Sequence, residues 1–70
     1  TGIDPLTLNV VRKLFKEPGV QHTAETVAQA LTISRTTARR YLEYCASRHL
    51  IIAEIVHGKV GRPQRIYHSG

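Results

Sequence analysis

Seventy residues with ten Lys and Arg against five Asp and Glu leave room for one domain with one small core, and the formal charge of +5 favours a polyanionic partner. No apolar run approaches the roughly 18 residues of a spanning helix, no basic-then-apolar signal segment opens the chain, and Cys45 alone cannot close an internal disulfide. A soluble, cytoplasmic domain is expected, and because its first residue is Thr1 rather than Met it is expected to be a fragment or processed piece.

Ile3-Asp4-Pro5 reads as a helix start: Asp4 can accept from the free amides of the first turn, Pro5 fits the first helical position, and Ile3 and Leu8 can staple across the cap. Leu6, Val10 and Leu14, with Val11 and Phe15 as further candidates, recur at helical spacing and predict a buried stripe on a helix running to about Lys16. Glu17-Pro18-Gly19 stops it, and residues 20–22 suffice only for a short bridging strand. Thr23 caps a second helix over Ala24 to Leu31, with Val27, Ala28 and Leu31 on one face. After only Thr32-Ile33, Ser34 caps a longer third helix in which Ala38, Tyr41, Leu42 and Cys45 form the apolar stripe. Helices joined by so tight a turn must cross steeply, as in a helix-turn-helix. The β-branched run from Leu50 to Val56 predicts a strand, and Arg65 to His68 a returning one, separated by a loop rich in glycine and cations. The expected fold is therefore mainly α with a small β-hairpin: a single winged helix-turn-helix domain over residues 1–70, its helix-turn-helix at about 23–42 and its wing at about 57–65.

On the third helix the apolar stripe leaves Arg35, Thr36, Arg39, Arg40 and Glu43 on the far side or its shoulders. An arbitrary charged face is a solvated one, but the second helix of a tight pair lies in the major groove with its first turns over base edges. Arg35 and Arg39 then suit forked hydrogen bonds to guanine, Thr36 a base or a thymine methyl, and Arg40 a phosphate. Ser34 and Thr37 suit a phosphate oxygen at the helix start, with capping or packing an equal alternative for Thr37. Thr23 is first a structural cap, whose position also lets the amide end of the second helix meet the DNA backbone. In the wing, Lys59, Arg62 and Arg65 lie on or beside a tip whose glycines permit close approach, and His57 is placed to reach phosphate. Gly61-Arg62-Pro63 resembles the core of the AT-hook, with Val60 where an arginine normally stands, and points Arg62 at a narrow, A·T-rich minor groove.

Other functions fit less well. His22, His49, His57 and His68 are dispersed and Cys45 falls in the apolar stripe, so neither catalysis, nor a metal, nor a cofactor is expected. Gly58-Lys59-Val60-Gly61 has the spacing of a KH-domain loop, but that loop joins helices and this one joins strands. The alternative is a winged-helix protein-protein interaction module, for which Tyr44, Ile52 and Val60 could supply an apolar patch.

The run from Thr23 to Leu42 resembles a bacterial helix-turn-helix: Ala28 matches the small residue at the helix crossing, and Ala38 and Tyr41 match buried positions of the recognition helix. Many such motifs carry glycine in the turn, where this chain has Thr32. Taken with Arg39-Arg40-Tyr41-Leu42-Glu43-Tyr44 and Gly61-Arg62-Pro63-Gln64-Arg65-Ile66-Tyr67, the chain is similar to the output domain of two-component response regulators of citrate and C4-dicarboxylate metabolism. That resemblance implies promoter DNA as the ligand, a receiver domain elsewhere in the full-length protein, a sensor kinase that phosphorylates it, and RNA polymerase as a further partner. The output domain by itself is expected to be monomeric.

Overall fold

The computed structural model describes residues 2–57 and 63–69. Within them the order is α1 (Pro5–Lys13), β1 (Gln21–His22), α2 (Ala24–Leu31), α3 (Arg35–Ser47), β2 (Ile52–His57) and β3 (Pro63–His68). Three helices and a three-stranded antiparallel sheet of order β1-β3-β2 make the winged helix-turn-helix that the sequence predicts, with the bridging strand present as β1.

Each helix begins at the cap its sequence supplies. The Asp4 carboxylate accepts from the Thr7 amide at 3.0 Å, with Pro5 in the first turn. Thr23 and Thr26 form a reciprocal capping box, and the Ser34 hydroxyl accepts from the Thr37 amide at 3.1 Å. Each such cap satisfies an amide that the helix itself cannot, worth about 1 kcal/mol.

The helix ends are less regular. α1 stops at Lys13, three residues before the expected Lys16, because Leu14, Phe15 and Lys16 donate to carbonyls three residues back and tighten into a 3₁₀-like turn. α2 ends in a Schellman turn: the Ile33 amide reaches the Ala28 carbonyl at 3.0 Å while Thr32 sits at φ 57° and ψ 46°, the left-handed region. The glycine-like turn of the helix-turn-helix is thus made by threonine. α3 ends the same way, with Leu50 donating to Cys45 at 3.0 Å and His49 at φ 60°.

The core consists of Val11, Phe15, Val27, Ala28, Ala38, Tyr41, Leu42, Cys45, Ile51 and Tyr67. The α3 stripe is buried at all four expected positions. On α1 the expectation is corrected: Leu6 is 75% exposed and Val10 42%, whereas Val11 and Phe15 are buried and Leu8 and Leu14 pack at the core's margin. The apolar residues of this helix and the turn that follows it span just over half its circumference, and its neighbours cover only the side that carries Leu8, Val11 and Phe15.

The sheet closes the core from below. Tyr67 of the central strand β3 stands opposite both His22 of β1 and Ala53 of β2, which puts its ring on the core face. Pro63 occupies the first position of β3, where the missing amide costs least. The β2–β3 pairing runs in register from Ile52–His68 to His57–Pro63.

Candidate nucleic-acid interface

The site begins with how α3 is held. Its buried stripe fixes the rotation of the helix, and the Tyr41 hydroxyl accepts the Asp4 amide at 2.8 Å, pinning the start of α1 to the middle of α3. Rotation about that stripe leaves Arg35, Thr36, Arg39 and Arg40 exposed, as the sequence predicts. Because Arg35, Arg39 and Glu43 are four residues apart, they share one shoulder of the helix.

That shoulder borders a cleft. Arg35 and Arg39 line it from α3, Thr23, Ala24 and Glu25 from the amide end of α2, and Pro63, Gln64, Arg65 and Tyr67 from the base of the wing. The structure therefore brings Thr23, Arg35, Arg39 and Arg65 together, although the last is 26 positions or more from the others. Three arginines thus line one cleft with a helix N-terminus, alongside the carboxylate-bearing Glu25, a cationic excess suited to polyanions.

The remaining residues sit around this cleft. Ser34 donates its hydroxyl to Thr37 Oγ1 at 2.9 Å, so both side chains already serve the start of α3. Thr23 likewise spends its hydroxyl on the Thr26 amide at 3.1 Å. Arg40 lies on the opposite shoulder, its guanidinium beside Gly2, away from the cleft. Of the wing residues, Lys59 and Arg62 lie outside the described residues, as do Gly58, Val60 and Gly61; Arg65 is described and His57 ends β2.

Besides Glu25, a second acidic side chain, Glu43, borders this cationic surface and binds Arg65. Glu43 Oε2 is 2.7 Å from Arg65 Nε, Oε1 accepts from Arg65 Nη2 at 3.2 Å, and the Tyr67 hydroxyl donates to the same carboxylate. Burial pushes the Tyr67 phenol up to about 12, the hydrogen bond to Glu43 adds to the rise, and Arg65 opposes it. Sequence reasoning placed Glu43 on the outer face but gave it no role. The signal is faint, a single carboxylate amid arginines, because its partner lies 22 residues away on another element.

Elsewhere the chemistry is quiet. Burial raises the Cys45 thiol, with Arg12 partly offsetting the rise, so the thiolate is disfavoured. His68 is raised by its hydrogen bond to the Ser69 carbonyl and then by Glu54, 3.2 Å away. No group of three or more metal-ligating side chains occurs among the described residues, nor any helix long and apolar enough to cross a membrane.

A tight helix pair, a cationic recognition helix and a hairpin beside it define the class: a winged helix-turn-helix of the transcription-regulator type. The solved structure of a possible transcriptional regulator from Methanosarcina mazei Go1 has the same fold, with a TM-score of 0.80 over 97% of this chain and 57% of that one at 16% identity. Residues 6–70 match the DpiA-like helix-turn-helix domain, and the chain belongs to that family, one of DNA-binding regulatory domains rather than enzymes. It is 99% identical over its whole length to the transcriptional regulatory protein DpiA of Escherichia coli K12, covering 31% of that protein. Over 97% of its length it is 54% identical to the transcriptional regulatory protein CitB of Klebsiella pneumoniae, covering 29% of it. A probable C4-dicarboxylate response regulator, DctR of Bacillus subtilis, is 41% identical over 94% of the chain and is likewise covered to 29%. The chain thus spans less than a third of the length of these relatives.

Proposed function

We propose that this chain reads duplex DNA sequence-specifically as the output domain of a transcriptional response regulator, with α3 in the major groove and the wing on the backbone or minor groove. The observation that carries the reading is the cleft in which Arg35 and Arg39 of α3 meet Arg65 of the wing at the amide end of α2. In a major groove about 12 Å wide an α-helix fits, and a planar guanidinium pairs with the two acceptors of guanine.

The proposed roles are those expected of a recognition helix and its wing. Arg35, Thr36 and Arg39 contact base edges; Thr23, Ser34, Thr37 and Arg40 contact the backbone; Lys59, Arg62 and Arg65 belong to the wing. The unit is one domain over residues 1–70, with the helix-turn-helix at about 23–42 and the wing at about 57–65. By likeness to relatives called response regulators, it works in the cytoplasm in a protein that also carries a receiver domain, takes its signal from a sensor kinase and acts on RNA polymerase at promoters. Without a receiver to pair two copies the domain is monomeric, and its affinity lacks the gain from holding two half-sites together.

A protein-docking role has its own support in the exposed Leu6 and Val10 on α1 and Ile52 and Val56 on β2, but these lie off the cationic shoulder of α3. The discriminating experiment is selection of duplexes from a random-sequence pool by the 70-residue chain, then salt titrations on the enriched duplex and a shuffled version. The DNA reading predicts a shared motif, tighter binding to the enriched duplex, and affinity that falls steeply with salt. Equal or absent binding to both duplexes at low salt would turn attention to the apolar surfaces instead.

A further inference from the structure

The carboxylate of Glu43 is a puzzle on a surface built to attract phosphate. By Coulomb's law its negative charge lowers the attraction of the neighbouring arginines for any polyanion. The charge attraction of the pair alone accounts for little stability, since Glu43 and Arg65 side chains are 40% and 41% exposed.

The geometry of the pair supplies a different account. Glu43 takes the Nε and Nη2 edge of Arg65 in a two-point fork, at 2.7 and 3.2 Å. A guanidinium has five donors in one plane, so a fork on one edge fixes the direction of the other, and the remaining donors face away from the carboxylate. Tyr67 holds the carboxylate from below through its hydroxyl, with its ring 5.8 Å from the Arg65 guanidinium carbon. Tyr67 is itself locked in the core at 1% exposure. The chain of contact runs from buried ring to carboxylate to guanidinium, and it ties β3 of the wing to the third turn of α3.

We propose that Glu43 is a positioning residue for DNA binding: it aims the open edge of Arg65 at a backbone phosphate and fixes the angle of the wing strand against the recognition helix. This rests on the DNA reading above, and it makes the affinity contributed by Arg65 depend on Glu43. Charge alone predicts the opposite sign, since removing a carboxylate from this surface should tighten binding to every duplex.

The test is a double-mutant cycle on the 70-residue chain with Glu43→Gln, Arg65→Gln and the two together, plus Arg65→Lys. Affinities are measured for the enriched duplex and its shuffled version, and thermal melting checks that each variant folds. Glu43→Gln is expected to weaken binding to the enriched duplex about five- to tenfold, close to the loss from Arg65→Gln, with the double variant no weaker than Arg65→Gln alone. Arg65→Lys keeps the charge but lacks the fork, and should lose nearly as much. Slowed solvent exchange of the Arg65 Nε proton, read by NMR, should be lost in Glu43→Gln. Tighter or unchanged binding by Glu43→Gln, or losses that multiply in the double variant, would overturn the positioning role while leaving DNA binding in place. Failure of the parent chain to bind either duplex would overturn both.

Discussion

Thr32 is a residue whose backbone and side chain want different things. Its φ of 57° and ψ of 46° close the Schellman turn between α2 and α3, and a β-branched residue there brings its Cβ against the backbone at about 1–2 kcal/mol. Thr32→Gly removes that strain but gives the unfolded chain more freedom, about 0.5–1 kcal/mol in the other direction. The threonine side chain is exposed, so little packing is lost. The balance is a gain of about 0.5–1 kcal/mol, which for a domain of this size raises Tm by roughly 3–6 °C. Thermal unfolding followed by circular dichroism, on parent and variant at the same protein concentration, reads this directly. A Tm that falls, or does not move, would refute the claim that the turn is strained and would mean that threonine makes a compensating interaction.

The same reasoning applies at His49, whose φ of 60° closes the end of α3; His49→Gly should raise Tm by a smaller amount, because histidine is not β-branched, and a lower Tm would contradict it. Tyr67 sets a pH dependence. Its phenol ionises at an ordinary 10.0 when unfolded but at about 12 when folded, so the unfolded chain releases its proton first. Stability from this group is therefore complete below pH 10 and falls by about 2 kcal/mol as pH rises toward 12. Denaturant melts across that range should show a shallower decline for Tyr67→Phe than for the parent; parallel curves would mean that burial in the fold does not raise the phenol's pKa.

How much of this was legible in the sequence depended on whether the signal was local. The caps at Asp4, Thr23 and Ser34 each sit within three residues of the amides they serve, and all three form where they were expected. The stripe on α3 was legible because its apolar and cationic residues separate cleanly on the helix, so only one rotation buries Leu42 and Cys45. α1 offers no such choice: apolar side chains occupy both Leu6–Val10 and Val11–Phe15, and only the position of α3 and the Ile51 bend decides which are covered. β2 and β3 were found with shifted bounds, since Ile51 belongs to the bend and Pro63 opens its strand.

The site divides in the same way. Arg35, Thr36 and Arg39 could be placed on one side of a helix from spacing alone. That Arg65 would reach them, and that Glu43 would hold it, follows from the register of β3 against β2 and from Tyr67 beneath the pair, none of which leaves a pattern in adjacent residues. The left-handed Thr32 was flagged by the absence of glycine, but that the turn keeps its geometry is set by the Ile33 to Ala28 hydrogen bond and the packing of the helices on either side.

The most direct test of sequence reading by α3 is a comparison of the parent chain with Arg39→Ala on the enriched and shuffled duplexes across a range of salt. Arg39 is exposed and absent from the core, so the variant should fold as the parent does. The account predicts that Arg39→Ala loses about 1–3 kcal/mol on the enriched duplex and far less on the shuffled one, which collapses the difference between them. An equal loss on both duplexes would make Arg39 a phosphate contact only, and would contradict the claim that this face of α3 reads the bases.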